Sequence, residues 1–201
     1  MFSSGGLGAT TLFIVTIVAS LLGLYATPAL IEKSLFRPYW FLRKREYDTL
    51  YMSGFVHADL GHLIFNMLTF YFFAFPLERH LGTPGFLILY AAGLVFSDTC
   101  TFFKHRNDPN YATLGASGAI SAVLFAFIVY FPTTSLFIIP IPFPIPAWLF
   151  AIAYMAYTYY SARQSRGRIN HDAHLCGALT GLLFVLVTDP GAYTALLARL
   201  E

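Results

Sequence analysis

The sequence has few charged residues and almost no cysteine. Of its 201 residues, 11% are charged and 57% are hydrophobic, whereas a soluble domain carries about 25% charge. So few charges cannot cover a globule with polar surface, which argues against a soluble enzyme, a disordered linker and a nucleic-acid-binding protein. The net charge of +2 indicates no polyanionic partner. The two cysteines, Cys100 and Cys176, lie in apolar runs and predict neither a disulfide framework nor a zinc site.

Uncharged stretches of membrane-spanning length run through most of the chain. A bilayer core takes about 20 helical residues. We predict an all-α membrane protein that forms one domain over 1–201, with six spans at 10–30, 60–79, 85–103, 115–131, 147–161 and 171–188. The prolines of 132–146 separate the fourth span from the fifth, because proline removes a helix hydrogen-bond donor.

The N-terminal part holds the first span and a long first loop. No basic segment precedes the span and no small-residue cleavage site follows it, so we interpret it as a retained helix rather than a signal peptide. The loop at 32–58 is rich in aromatic and charged residues. This composition indicates a partly helical segment at the membrane interface.

Three polar residues lie near the starts of alternate spans: His62 in span two, Ser117 in span four and His174 in span six. Alternate spans cross a bilayer in the same direction, so we expect these residues at similar depth near one membrane face. Polar groups within spans are costly and usually face a bundle interior or a wet cavity. The sequence therefore predicts that the three side chains share one polar site.

The fourth span begins with a serine among small residues, Ser117 in the run GASGA at 115–119. A helix start offers unpaired N–H groups and a positive dipole end, so a nucleophilic serine there would have oxyanion donors beside it. The alternative is a plain packing face, since Gly118, Ala122 and Ala126 recur at a spacing of four residues.

The sixth span places His174, Gly177 and Gly181 on one helix face. The two glycines form a small-xxx-small pair that permits close helix contact. A neutral histidine is the usual general base for a serine. The alternative is a structural histidine held by hydrogen bonds.

The second span carries His62 and Asn66 four residues apart, and therefore on one helix face. Both side chains can donate hydrogen bonds to a developing oxyanion. The alternative is a polar clasp between helices. His57 is expected to brace the junction between the first loop and this span.

A metal site would be a competing use of the histidines. Candidate ligands are His57, His62, His171, His174 and Asp172. No His-Glu-x-x-His motif occurs, and a metal site would leave the small-residue start of span four without a role. Asp98 in span three is a candidate third member of a catalytic triad. We expect it instead to form hydrogen bonds near the membrane interface, and we assign it no part in catalysis.

Together the motifs resemble the rhomboid family of intramembrane serine proteases. Gly-x-Ser-Gly at 115–118, Ala-His-x-x-Gly-x-x-x-Gly at 173–181 and His-x-x-x-Asn at 62–66 occur in the family's order, and the similarity covers roughly 50–190. The resemblance implies a rhomboid-like bundle of six transmembrane helices. By this resemblance Ser117 would be the nucleophile and His174 the base of a two-residue dyad. An oxyanion hole would be made by His62, Asn66 and the Ser117 backbone N–H, with Gly115 allowing close approach. Packing of the helices would rest on small residues, namely Gly118, Gly177 and Gly181.

The resemblance also sets expectations for the surroundings of the dyad. Glu78 matches a family acid with a structural role. Ser121 stands where many members carry an aromatic residue four positions after the nucleophile, so the orientation of His174 must come from elsewhere. No cofactor and no metal are implied. The implied partners are the lipid bilayer and membrane-protein substrates, and no nucleic acid.

The distribution of basic residues conflicts with the family's orientation. Ten of the twelve lysine and arginine residues lie in loops one, three and five, and the positive-inside rule would place these loops and the mouth of the site in the cytoplasm. Six-helix bacterial rhomboids have the opposite orientation, and we expect that orientation, in a bacterial inner membrane.

Two other functions stay open beside the protease. One is a catalytically inactive rhomboid-like protein for binding or quality control of membrane proteins, and the other is a small-solute transporter. The presence of both Ser117 and His174 argues against the first. Polar residues near one membrane face, rather than at mid-membrane, argue against the second.

Overall fold

The computed structural model describes residues 6–137, 143–164 and 170–199. Its helices are α1 (Leu7–Tyr25), α2 (Pro28–Ser34), α3 (Pro38–Arg43), α4 (Thr49–Met52), α5 (Leu60–His105), α6 (Ser117–Tyr130), α7 (Ala147–Gln164), α8 (His171–Thr188) and α9 (Gly191–Ala198). A short 3-10 turn spans Ser53–Phe55. The fold is helical as predicted, except for an antiparallel pair of two-residue strands, β1 (Ser135–Leu136) and β2 (Ile145–Pro146). These strands lie in the predicted loop 132–146, of which residues 138–142 lie outside the described residues.

Within the described residues, three helices, α1, α5 and α8, are long and apolar enough to cross a membrane, and α6 is apolar but shorter. Large apolar side chains point outward from them, such as Phe65, which is 74% exposed, and Val187, which is 79% exposed. Many outward-facing apolar side chains on long apolar helices fit a lipid environment. The chain is an integral membrane protein, and the count of six spans stays a prediction.

The long helix α5 folds back on itself at Gly82. This glycine has φ of +71° and ψ of 160°, which is a left-handed conformation that an L side chain rarely adopts. The ring of Phe70 lies 6.2 Å from that of Phe86 and 5.8 Å from that of Tyr90, so the segments 60–81 and 83–105 pack side by side. They correspond to the predicted spans at 60–79 and 85–103.

The first predicted span, 10–30, is wrong at its end. Helix α1 ends at Tyr25, where the N–H groups of Ala26 and Thr27 both donate to the carbonyl of Leu22. Pro28 has no N–H to continue the helix and instead begins α2. The break separates the membrane helix from the short helices of the first loop, which is partly helical as predicted.

Glu78 connects the start of α1 to the turn at Gly82 within α5 through hydrogen bonds. Its carboxylate is almost fully buried and accepts from the N–H groups of Gly8 at 2.9 Å and Ala9 at 2.7 Å. The hydroxyl of Thr83 donates to the same carboxylate at 2.7 Å. A carboxylate at a helix N-terminus pairs with otherwise unbonded N–H groups, so Glu78 has the structural position that the resemblance implied.

Helix α6 lies at the centre of the bundle. Every residue from Gly118 to Tyr130 is buried, and the helix packs against α5 and α8. The predicted span at 115–131 begins too early, because Gly115 has φ of +119° and belongs to the preceding turn. The fifth predicted span, 147–161, corresponds to α7, and the sixth, 171–188, has the same bounds as α8.

The prediction that the cysteines form no disulfide is wrong. Cys100, in the second segment of α5, is bonded to Cys176 in α8. The two residues are 76 positions apart in sequence, and two cysteines in separate apolar runs carry no spacing signal from which their pairing follows. The bond joins the helix that carries Asp98 to the helix that carries His174.

Candidate active site

Ser117 is the first residue of α6 and follows a tight turn. The N–H of Gly115 in this turn donates to the carbonyl of Ser53 at 2.9 Å, and the N–H of Ile120 donates to the carbonyl of Ala116 at 3.0 Å. Backbone N–H groups of the first helical turn have no acceptor within the helix. The half-buried serine hydroxyl therefore lies beside backbone donors that can stabilise an anion.

The imidazole of His62 lies against Gly115. A Cβ atom at Gly115 would be 2.6 Å from Cε1 of His62 and 3.0 Å from its Nε2, which is closer than atoms can pack. Glycine is therefore required here both by its positive φ and by the space that the ring occupies. The ring of His62 thus contacts Gly115, which is two positions before Ser117 in the sequence. Its oxyanion role stays a prediction.

His57 supports the turn before Ser117 through hydrogen bonds to Ala116 and Ser20. Its side chain is fully buried, and this burial lowers the pKa of His57 to about 3, with the neighbouring His62 acting in the same direction. The ring is therefore neutral. Its Nε2 accepts from the N–H of Ala116 at 3.5 Å, so Nδ1 carries the proton and donates to the hydroxyl of Ser20 at 3.0 Å.

Asn66 lies one turn after His62 and is buried. Its Nδ2 donates to the carbonyl of His62 at 3.0 Å. One of the two amide N–H groups is therefore used within α5. This bond makes Asn66 a partner of the His62 backbone, and its role as an oxyanion donor stays a prediction.

Helix α8 approaches α6 closely through glycines. A Cβ atom at Gly177 would collide with the backbone of Gly118, and one at Gly181 would collide with the backbone of Ala122. Only residues without a Cβ allow such close contact between helix backbones. Gly118, Gly177 and Gly181 are therefore all at the α6–α8 contact, and Gly118 directly follows Ser117.

His174 lies on α8 one turn before Gly177. Its Nδ1 is hydrogen-bonded to the hydroxyl of Tyr154 in α7, at 3.1 Å. Among the described residues, no hydrogen bond joins His174 to Ser117. The start of α8 is held by Asn170, whose Oδ1 accepts from the N–H of Ala173 at 3.1 Å and whose Nδ2 donates to the hydroxyl of Thr101 at 2.9 Å.

A small polar cavity lies behind Ser117, between α5, α6 and the start of α8. It is lined by Ser53, Ser97, Asp98, Thr113, Leu114, Gly115, Ser117, Gly118, Asn170 and Ala173. Asp98 is buried and accepts from the hydroxyl of Ser53 at 3.2 Å. The carboxylate of Asp98 thus belongs to this cavity. Among the described residues it makes no hydrogen bond to His174, so it does not act as the third member of a catalytic triad there.

The histidines do not come together as metal ligands would. Within residues 6–137, 143–164 and 170–199, no group of three or more histidine, cysteine, aspartate or glutamate side chains is placed to hold a metal ion. Asp172 instead pairs with Lys104, with oxygen–nitrogen distances of 2.9 and 2.7 Å. The rings of His57 and His62 meet edge to face at 5.0 Å between centroids.

Comparison with known proteins adds the family. A model of the rhomboid domain matches residues 44–190, which is most of the chain and includes every residue described above from His57 to Gly181. The chain belongs to the rhomboid family.

Curated rhomboid relatives are similar over about two thirds of the chain. RHOMBOID-like protein 12, mitochondrial, of Arabidopsis thaliana is 30% identical over 145 residues, which are 65% of this chain and 43% of that protein. Rhomboid protein 1, mitochondrial, of Saccharomyces cerevisiae is 30% identical over 139 residues, which are 66% of this chain and 39% of that protein. Presenilin-associated rhomboid-like protein, mitochondrial, of Homo sapiens is 32% identical over 136 residues, 67% of this chain and 36% of that protein. The matched part thus spans about two fifths of the length of these relatives.

The relatives bear on location as well as on family. All three of those named are mitochondrial proteins, so they give no support to the bacterial inner membrane expected from the sequence. That expectation came from the six-helix pattern, which says nothing about the compartment in which the membrane lies.

Two residues at this rhomboid site were not predicted from its sequence. Tyr154 contacts both His174 and Ser121, and Asn170 caps α8. An asparagine immediately before an apolar run is an N-cap signal, and from it the capping role of Asn170 was predictable. For Tyr154 the only signal was the serine at 121, which left the orientation of His174 without a source.

Proposed function

We propose that this rhomboid is an intramembrane serine endopeptidase that acts on peptide bonds in or near transmembrane segments of membrane proteins. Ser117 attacks the peptide carbonyl, and His174 takes the serine proton and returns it to the leaving amine. Water then hydrolyses the acyl-enzyme, with His174 again as the base. No carboxylate completes a triad in this mechanism, so packing and hydrogen bonds must orient His174.

The observation that carries this proposal is the glycine contact between α6 and α8. Ser117 begins α6 directly before Gly118, and Gly118 lies against Gly177, one turn after His174. Ser117 and Ala173 also line the same cavity. The proposed nucleophile and base are therefore carried by two helix segments whose backbones are in direct contact. Hydrogen bonds between catalytic groups are often loose in an unliganded enzyme and tighten with substrate.

Stabilisation of the oxyanion rests on groups beside Ser117. The donors are the Ser117 backbone N–H, the ring of His62 held against Gly115 and the second amide N–H of Asn66. Loss of one oxyanion donor typically costs 10²–10³-fold in rate. We expect His62→Ala and Asn66→Ala each to lower turnover by about 10²-fold with little change in helix content.

The cavity behind Ser117 supports the hydrolytic step. A peptide bond in a membrane helix is already hydrogen-bonded and dry, so its hydrolysis needs polar groups that can hold water near the serine. The hydroxyls of Ser53 and Ser97, the carboxyl of Asp98 and the amide of Asn170 line this cavity. They are suited to hold the water that attacks the acyl-enzyme.

The experiment is a cleavage assay on purified protein in proteoliposomes. The substrates are single-span reporter proteins with a fluorescent tag on each side of the transmembrane helix. Ser117→Ala and His174→Ala should abolish cleavage, and Ser135→Ala, at an exposed serine of β1, should leave it unchanged. Cleavage that persists in Ser117→Ala would overturn the serine mechanism. Capture of uncleaved reporters by the unaltered protein would favour the inactive binding protein instead.

A further inference from the structure

The hydroxyl of Tyr154 lies between two residues of the candidate site. Tyr154 belongs to α7, and its Oη atom is 3.1 Å from Nδ1 of His174 and 3.2 Å from Oγ of Ser121. Ser121 is buried and lies one turn after Ser117 in α6. A tyrosine of one helix thus joins the helix of the base to the helix of the nucleophile.

The ring of Tyr154 is held by packing that does not depend on its hydroxyl. Phe125 and Phe150 both lie 5.6 Å from it between ring centroids. The rings of Tyr154 and His174 are near parallel, at 18°, but their centroids are 6.4 Å apart. The close contact with His174 is therefore made by the hydroxyl and not by a stacked ring face.

The hydrogen bond at Nδ1 decides which imidazole nitrogen is basic. A neutral imidazole carries one proton. If Nδ1–H donates to the Tyr154 oxygen, and the tyrosine O–H donates onward to Ser121, the lone pair of His174 lies on Nε2. A base that takes a serine proton needs that lone pair, and a partner at the other nitrogen is the usual device that sets the tautomer.

We propose that Tyr154 is a positioning residue that holds the imidazole of His174 in the tautomer and orientation required for catalysis. This inference rests on the proposed function of His174 as the base. Ser121 stands where many rhomboids have an aromatic residue and cannot orient His174 as that residue would. The hydroxyl of Tyr154 in α7 takes over this role. The orientation of the base then depends on α7 being packed against α8.

The test measures covalent modification of the unaltered protein and of Tyr154→Phe by a fluorophosphonate, which needs no knowledge of the substrate. Tyr154→Phe keeps the ring and its packing against Phe125 and Phe150 but loses the hydroxyl. Loss of one hydrogen bond should lower the maximal rate of modification about tenfold, while the probe concentration that gives half of this rate stays the same. Ser121→Ala removes only the outer bond of the chain and should act in the same direction, more weakly.

The matched control is Tyr160→Phe, since Tyr160 is on the same helix and 65% exposed. It should react like the unaltered protein. If Tyr154→Phe is also modified at the unaltered rate, the positioning role is wrong while the serine mechanism stands. If Ser117 of the unaltered protein is not modified at all, the proposed function itself fails, and this inference fails with it.

The pH dependence of modification separates positioning from mere packing. A protonated imidazole donates from Nδ1 more strongly than a neutral one, so loss of the acceptor should move the acid limb of the rate profile about half a unit to one unit lower. Other titratable groups near His174 are unchanged by the substitution. They are His171, with its ring 6.1 Å away on α8, His62 on α5, and Asp172, which is paired with Lys104. An unmoved limb, or one that moves upward, would overturn the proposal.

Discussion

Replacing Gly177 by valine should force α8 away from α6 and stop catalysis while the protein still inserts into the membrane. A Cβ atom at this position would lie 2.8 Å from the carbonyl carbon of Gly118 and 3.2 Å from its Cα. Carbon atoms pack at about 3.5–4.0 Å, so the helices must separate by about 1 Å. The obstructing atoms belong to a helix backbone, which cannot move aside as a flexible side chain can.

The separation acts directly on the dyad, because Gly177 is one turn from His174 and Gly118 follows Ser117. A displacement of about 1 Å in a catalytic pair costs about 10²-fold in rate. We expect reporter cleavage and fluorophosphonate labelling to fall together by at least that factor in Gly177→Val. Valine is fully compatible with lipid, so detergent-solubilised protein should keep its helix content and its elution as a single folded species.

The matched control for this substitution is Gly191→Val at the start of α9. Among the described residues, a Cβ atom there would meet only Asp189, with Oδ1 at an ordinary distance of 3.6 Å, and cleavage should continue at the unaltered rate. Cleavage at the unaltered rate in Gly177→Val would refute the close packing of α8 on α6 through this face, and with it the placement of His174 beside Ser117.

Three further predictions concern the turn before Ser117, the disulfide and the absence of a metal requirement. Gly115→Ala should lower cleavage by about 10²-fold, because the added methyl group displaces the ring of His62; cleavage at the unaltered rate would mean that this ring is not needed there. Replacing both Cys100 and Cys176 by alanine removes a cross-link that closes a 76-residue separation, worth about 4.5 kcal/mol by chain entropy, and should lower the thermal midpoint in detergent; an unchanged midpoint would contradict the bond. Cleavage should survive strong chelators, since the mechanism uses no metal, and loss with EDTA followed by rescue with zinc would contradict a serine mechanism.

The sequence was most informative where charges and prolines mark the ends of apolar runs. Helix α8 has the bounds predicted for it because Asn170 caps its start and Asp189-Pro190 follows its end. The two antiparallel segments of α5 were predicted because the charged residues Glu78 and Arg79 separate two apolar runs just before Gly82. Boundaries set by backbone conformation were predicted less well. The end of α1 lies just before Pro28, a proline signal that the prediction from span length and hydropathy did not use. The turn at Gly115 is a local conformation within an uncharged stretch, where hydropathy carries no signal.

Contacts between helices were predictable only where residue size reveals them. Glycines at 177 and 181 indicate a close helix contact whatever the partner helix. Tyr154 carries no such signal, because α7 has apolar and aromatic residues on every face and its rotation is set by the helices around it. The bond between Cys100 and Cys176 is of the same kind, since it depends on how two apolar helices face each other across the bundle.

The most direct measurement of the central claim is the site of covalent modification by a fluorophosphonate probe, located by mass spectrometry of the purified protein. A serine activated by a neighbouring histidine reacts with such a probe, whereas a serine hydroxyl without an adjacent base is a weak nucleophile. We predict a single adduct on the peptide that contains Ser117, and loss of that adduct in His174→Ala. An adduct on another serine, or equal modification of Ser117 without His174, would contradict a Ser117–His174 dyad.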